Sequence, residues 1–340
     1  MTVTIADVAR HAGVAVSTVS YVLSGKRAIS ATTSQRVLAS IRTLGYHPNA
    51  GARALASKRA NVIALVLPLR AGMHLPVLMQ FATTVVTTAR QHDHDVLLVT
   101  ADEGEAGLRR VAASAMVDGL VLMDVELHDR RVPLLRELPR PSVLIGFPAD
   151  AAGLTCVDLD FAAAGGHCVE HLASLGHREI ALLGAPQVVY DRNTGYAVRT
   201  RTGFAQAVDR LGLSAAALPC EESAGAVHAE VAELLEQRPG LTGLVVHNEA
   251  AVSHVLTALS TLGRRVPQDV SVVAICPDEL AKRTSPALSS VLVPAEEVGH
   301  HAVTLLMNKL AETLTAVPDA TLLPPRLTVR TSTAAAPAAV

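Results

Sequence analysis

The pattern of the chain changes abruptly near residue 60, and the two sides of that break call for different folds. From Val62 onward, short apolar runs alternate with segments of helical periodicity. The runs are Val62–Leu67, Asp95–Thr100, Gly119–Met123, Ser142–Ile145, Glu179–Leu183, Gly243–Val246 and Val270–Ile275. The helical patterns fall at about 76–92, 105–116, 162–175, 199–211, 225–237, 249–262 and 296–315. A continuous apolar run suits a strand covered on both faces, as in a parallel sheet. The regular alternation predicts two doubly wound α/β lobes. The chain is expected to cross between them near Val157–Phe161, return near Ser289–Pro294 and cross again near Pro324–Pro325. A ligand of such a hinged body belongs in the cleft at the carboxyl ends of the strands.

The first sixty residues are a different object. They hold eight Lys/Arg and one acid, Asp7, for a formal charge of +7; the remaining 280 residues carry 21 basic and 30 acidic side chains, or −9. A basic head on a mildly acidic body is the asymmetry of a chain that grips a polyanion with one end. Ile5, Val8, Ala9 and Ala12 recur at helical spacing, with Thr4 as N-cap and Asp7 as its capping-box partner. Gly13 suits a turn. In a second helix Val19, Val22 and Leu23 face inward, which leaves Val16, Ser17, Ser20 and Tyr21 outward. A third helix, about Thr32 to Leu44, places Val37, Leu38, Ile41 and Leu44 inside and Arg36 and Arg42 outside, with Gly45 at its stop. The bland alternative is a generic three-helix unit with solvated basic side chains.

Composition closes several classes. No apolar run reaches the roughly 18 residues of a membrane span, and Met1-Thr-Val-Thr-Ile-Ala-Asp7 has neither the basic nor the apolar region of a secretion signal. Trp is absent and aromatics make up 2% of the chain, which argues against single-strand recognition by base stacking. Cys156, Cys168, Cys220 and Cys276 form no C-x-x-C pair and read as free buried thiols of a reducing cytoplasm. His92-Asp-His-Asp95 reads as a solvated turn rather than a metal site. No phosphate loop or nucleophile elbow is present.

The segment Thr4-Ile-Ala-Asp-Val-Ala-Arg-His-Ala-Gly-Val-Ala-Val-Ser-Thr-Val-Ser20 resembles the headpiece of the LacI/GalR family of bacterial transcription regulators. So does Leu44-Gly-Tyr-His-Pro-Asn-Ala-Gly-Ala-Arg-Ala-Leu-Ala56, and the likeness continues almost to the C-terminus. It implies an α/β fold of two doubly wound parallel-sheet lobes, periplasmic-binding-protein-like, preceded by an all-α helix-turn-helix headpiece and a hinge helix. The implied boundaries are 1–47 for the headpiece and 48–59 for the hinge. The effector-binding and dimerisation domain takes 60–333, with an N-lobe of about 60–158 and 291–323 and a C-lobe of about 159–290 and 324–333; a disordered tail, 334–340, follows. The second helix would lie in the major groove. Thr4, Val16, Ser17, Thr18, Ser20 and Tyr21 are the implied headpiece contacts. Val16 and Ser17 match the two specificity positions, and Tyr21 replaces an Arg common there. Asn49 caps a hinge that is too short to stand alone; Ala52, Arg53 and Leu55 would contact DNA, with Leu55 wedged into the minor groove.

In the body, Asp158-x-Asp160-Phe161, His171-Leu-x-x-Leu-Gly-His-Arg178, Arg265-Val-Pro-Gln-Asp-Val-Ser-Val-Val273 and Pro286-Ala-Leu-Ser-Ser-Val resemble family motifs, most of them structural. His177-Arg178 is expected to anchor a turn. The implied effector residues are His74, Phe161, Arg192, Arg199, Arg201, Asn248 and Asp278. The family's effector Arg slot is Thr200 here, so Arg199 or Arg201 would substitute. A family Asp falls on Cys276, with Asp278 two residues later, and Leu159 replaces a frequent Asn.

The function so implied is a sequence-specific DNA-binding regulator, a repressor, controlled by a sugar or related metabolite between the lobes. Its partners would be double-stranded operator DNA, the effector and a second copy, with no membrane, no cofactor and no metal, in the cytoplasm and on the nucleoid when bound to operator. The C-terminal stretch lacks Leu heptads, so assembly should stop at a dimer. The alternatives are a solute-binding protein of transport type and an enzyme on the same fold.

Overall fold

The computed structural model describes residues 3–24, 27–46, 59–114, 116–311 and 320–337. The expected hinge, with Asn49, Ala52, Arg53 and Leu55, lies outside the described residues, as do 338–340. Head and body form separate units.

The head has helices α1 (Ile5–Ala12), α2 (Val16–Ser24) and α3 (Ala31–Leu44). The capping box at α1 is present in both directions. Thr4 N donates to Asp7 Oδ2 at 2.9 Å, and Asp7 N donates to Thr4 Oγ1 at 3.3 Å. Gly13 sits at φ 62°, in the left-handed region where a Cβ is penalised. Val8, Ala9, Ala12, Val19 and Val37 form the buried centre, with Ile5, Val22, Leu23, Ile41 and Leu44 packed around it. Leu38 departs from expectation and is 45% exposed. It lies one helical step, about 100°, from Val37 and so leaves the inner face. Ser40 takes the inner position instead, donating to Arg36 O at 2.9 Å and bonded to His11 Nδ1 at 3.0 Å.

The body contains two six-stranded sheets. The N-lobe elements are β1 (Val62–Val66), α4 (Leu75–Gln91), β2 (Asp95–Val99), α5 (Gly104–Ala113), β3 (Gly119–Leu122), α6 (Arg131–Glu137), β4 (Ser142–Ile145) and β5 (Cys156–Leu159). The C-lobe elements are α7 (Phe161–Ser174), β6 (Glu179–Leu183), α8 (Gln187–Asp191), α9 (Gly195–Leu211), β7 (Ser214–Leu218), α10 (Ala224–Gln237), β8 (Gly243–Val246), α11 (Val252–Thr261), β9 (Ser271–Cys276), α12 (Asp278–Arg283) and β10 (Ser289–Leu292). Helix α13 (Ala295–Ala311) and β11 (Ala320–Leu323) return to the N-lobe, and β12 (Leu327–Thr328) closes the C-lobe sheet. Strand orders are β11-β5-β4-β3-β1-β2 and β12-β10-β9-β8-β6-β7. Every pair is parallel except β12 on β10. The strands β1, β3, β4, β6, β8 and β9 are buried nearly throughout, which is why they read as continuous apolar runs.

Three boundaries shift. Residues 156–159 form β5 of the N-lobe sheet, so the first crossing begins only after Leu159. Val291 and Leu292 pair with Ile275 and Cys276 of the C-lobe, so the return comes after Leu292 rather than at 291. The tail is not free from 334 on. Ala334 N donates to Ser271 Oγ at 3.0 Å, Ala334 O bonds His177 Nε2 at 3.1 Å, and Ala336 N donates to Leu175 O at 2.8 Å. Small side chains let this backbone lie against the lobe. His177 also bonds Thr242 Oγ1 at 2.9 Å, which is the turn anchor its motif implies. The four cysteines are buried and form no disulfide. Among the described residues no helix is long and apolar enough to cross a membrane.

Helices α7 and α9 cross with little room. A Cβ on Gly165 would stand 2.3 Å from Thr200 O, and one on Gly203 would stand 1.9 Å from Ala162 O. Glycine is required at this crossing for space rather than for φ. The crossing fixes α9, whose first turn carries Tyr196 to the cleft.

Candidate DNA-binding face and effector cleft

Helix α2 puts Val19 into the head core and keeps other side chains out of it. Val16 is 45% exposed and Ser17 is exposed, while Thr18, Ser20 and Tyr21 are half-buried. The Arg27 guanidinium carbon lies 5.9 Å from the centroid of the Tyr21 ring. The small residues at 17, 18 and 20 leave the backbone of α2 approachable, which is what insertion into a groove requires. Thr4 is exposed at the start of α1, and both its amide and its hydroxyl are engaged with Asp7.

In the body, the chain segments at the carboxyl ends of the two sheets enclose a cavity of ≈ 100 Å³. His74 and Phe161 line it as expected. So do Asp124 and His247, just beyond β3 and β8, with Asp158, Glu249 and Tyr196. Phe161, Tyr196 and His247 form a triangle of rings with centroids 5.6–5.8 Å apart. Burial shapes the charges. It raises the carboxyls of Asp158 and Glu249 to about 7 and lowers His247 to about 4. His74 is lowered by the same cause. Asp124 is raised by burial, against the pull of Arg70, whose Nη1 lies 2.9 Å away.

Several polar atoms here have no protein partner. His247 is 3% exposed and its Nδ1 is unbonded; Thr194 Oγ1 and the Nε and Nη2 of Arg192 are also buried and unbonded. Such atoms are costly unless a ligand or water meets them.

The expected Arg residues divide. Arg192 holds the rim, with Nη1 donating to Ala71 O at 3.1 Å. Arg199 is a strut between lobes, donating to Phe147 O at 2.6 Å and Pro148 O at 3.2 Å. Arg201 is exposed and lies over the Tyr190 ring at 4.3 Å, away from the lining. Helical phase separates Arg199 from Arg201, which stand two residues and so about 200° apart on α9. Asn248 is occupied within its lobe, donating to Cys220 O at 2.7 Å and accepting from Ala250 N at 3.1 Å. Asp278 pairs with Arg330 and with Lys282 and is absent from the cavity wall.

A backbone clasp closes the cleft beside Arg199. Gly195 N donates to Val125 O at 2.9 Å and Leu127 N to Asn193 O at 2.8 Å, flanking a Glu126–Thr194 bridge. Asp124 and His247 carry no local motif. Their signal is position, one or two residues past the carboxyl end of a buried strand. Tyr196 gives no such signal.

Residues 169–333 match the periplasmic binding protein-like domain, and residues 4–49 match the family of bacterial regulatory proteins, lacI family. The chain belongs to the LacI family. This LacI-family chain is a DNA-binding transcriptional regulator, neither a solute-binding protein of transport type nor an enzyme, since its relatives are regulators. It is 28% identical to catabolite control protein A of Priestia megaterium over 324 residues, covering 91% of this chain and 94% of that protein. It is 28% identical to the transcriptional repressor PurR of Photorhabdus laumondii over 321 residues, with 90% of each chain covered. A CelR–cellobiose complex superposes with a TM-score of 0.68 at 27% identity, covering 97% of this chain and 99% of that one. The lac repressor dimer bound to operator superposes at 0.81 with 23% identity, covering 98% and 100%, a likeness of fold.

Proposed function

We propose that the chain is a homodimeric repressor whose grip on an operator is set by a small molecule between the lobes. The observation that carries this is the pairing of two unfilled surfaces. One is the outward face of α2 in a head of charge +7. The other is a cavity lined by His74, Phe161, Tyr196 and His247, with the buried Nδ1 of His247 left unbonded. Val16 and Ser17 read base edges at the start of α2, Thr18 and Ser20 meet sugar and phosphate, and Tyr21 reads a base that Arg reads in relatives. Thr4 brings the start of α1 to a phosphate. Asn49, Ala52, Arg53 and Leu55 of the segment 48–59 meet the operator, which bends where Leu55 enters the minor groove. His74, Phe161, Arg192 and Arg199 serve the effector, Arg199 by bracing the closed lobes; Arg201, Asn248 and Asp278 act outside the wall. The site of action is the cytoplasm, on the nucleoid when bound to operator. The CelR–cellobiose complex is the precedent for effector control.

Selection from a random duplex library tests the assignment. The full chain should enrich a near-palindrome, because a two-fold dimer presents equivalent helices to equivalent half-sites. Substituting Val16 and Ser17 should change the enriched half-site, and unchanged preferences would remove the base-reading role. Any true effector must change operator affinity by the factor by which operator changes its own.

A further inference from the structure

The wall of the cleft combines acid with apolar surface in a way that selects a charge type. Its charged groups among the described residues are Asp124, Asp158 and Glu249, and no Lys or Arg lines it. Asp124 is balanced by Arg70 and by the fields of Arg192 and Arg131. Asp158 accepts from Leu159 N at 2.9 Å. The cation whose field reaches it is Arg199, engaged with two carbonyls. Glu249 is raised by burial, and no cation is among the groups that shift it. Tyr196 feels the fields of Glu249 and Asp124, His247 shares the wall with its Nδ1 unbonded, and His74 feels the field of Glu222. The rest of the wall is apolar and includes Met73, Val77, Phe81, Ile145 and Val293.

We infer that the effector is a small organic cation, an amine head met by Asp158 and Glu249 on an apolar or aromatic body packed against Phe81, Phe161 and Tyr196. The inference rests on the proposed effector control and narrows its chemistry. A polyol would turn hydroxyls toward Met73, Val77 and Phe81, where each lost hydrogen bond is costly. An anion would meet the carboxyls of the wall first, since Arg70, Arg192 and Arg199 all stand outside the lining. An ammonium gains from both acids and from the aromatic faces, and the apolar body fills the space that remains. The bare Nδ1 of His247 accepts from an N–H of the head when its Nε2 carries the proton. Burial holds both acids near 7, so a bound cation drives them to ionise. Binding therefore releases protons at neutral pH, and affinity rises with pH until the amine itself loses its proton at about 10.

The test uses the full chain and matched ligands that differ in charge alone: 2-phenylethylamine, 2-phenylethanol and phenylacetate, the butyl series, and glucose and cellobiose. Thermal shift and calorimetry at pH 7.5 should rank amine above alcohol by at least about tenfold, with no binding of the acid. Calorimetry in two buffers of different ionisation enthalpy should show proton release on amine binding. Glu249→Gln should weaken the amine about tenfold and reduce that release. Glu249→Asp, which keeps the charge, should retain most of the binding. A sugar or an acid that binds more tightly than every amine, or amine binding without proton release, overturns the inference. So does a panel in which no amine binds. Operator binding by the ligand-free chain is measured alongside: if it holds while the amines fail, only the effector class is wrong, and if it fails, the regulator reading goes too.

Discussion

Replacing Gly203 by alanine puts a methyl group where α7 and α9 cross most closely. The new Cβ would stand 1.9 Å from Ala162 O, 2.5 Å from its carbonyl carbon and 2.7 Å from its Cα, all backbone atoms that cannot rotate away. Ordinary contact begins near 3.4 Å, so the helices must part by more than 1 Å. A gap of ~0.5–1 Å forfeits a quarter to a half of the dispersion energy of the atoms it separates. The atoms in question include Phe204, Cys168, Leu172 and Ala207, all buried. Overpacking with this loss costs about 3 kcal/mol or more. For a body of this size that lowers Tm by roughly 6–12 °C. Gly166 is the internal control. It sits on α7, the other helix of the crossing, but its Cβ would meet Gly203 O at 3.8 Å and Ala207 Cβ at 3.9 Å, which is ordinary contact. Gly166→Ala should be neutral or stabilising by up to ~1 kcal/mol. Thermal and urea unfolding followed by circular dichroism measures both. Equal midpoints for the two variants would refute the crossing as the reason for Gly203.

Thr4→Ala removes the hydroxyl of the capping box, worth about 1 kcal/mol, and should speed hydrogen exchange in α1 about fivefold while leaving the body unchanged. Glu249 has its folded value raised to about 7 from an ordinary 4.5, so its ionisation costs stability as pH rises through 7 and nothing below 4.5. Glu249→Gln should therefore match wild type in urea melts at pH 4 and exceed it by up to about 3 kcal/mol at pH 8. A constant difference between the two pH values would exclude burial as the cause. In Gly195→Ala the Cβ would meet Phe147 O at 3.0 Å and Val125 O at 3.2 Å, so the clasp should loosen. The Leu127 and residue-195 amides should then exchange at least tenfold faster, and unaltered protection would place no load on the clasp.

The legible part of the fold was the part where burial on both sides forces apolar continuity. Strands β1, β3, β4, β6, β8 and β9 stand out for that reason. Edge strand β7, Ser-Ala-Ala-Ala-Leu, is largely exposed and low in β-branched residues, and it leaves no trace in the pattern. Strand β5 is obscured by Asp158 in its middle, and α6, α8 and α12 are too short to show a period. In the head the pattern succeeds except at Leu38, where an apolar residue sits on the outer face without structural need. The cleft was half legible. His74 and Phe161 follow from motif position, but Asp124, Tyr196 and His247 lie far apart in sequence and meet only in the folded cleft. Arg199 and Arg201 show the limit of spacing: a motif slot shifted by one residue on a helix changes the direction of the side chain by about 100°.

DNA recognition resides in the head and ligand recognition in the body. Footprinting on a selected operator, with the full chain and with a chain that starts at Ala60, separates the two. Unfolding curves establish that both are folded. The full chain should protect a two-fold symmetric site and the shortened chain nothing, while both bind the same effector with the same body. Selective protection by the shortened chain, or uniform protection of any duplex by the full chain, would place DNA recognition elsewhere.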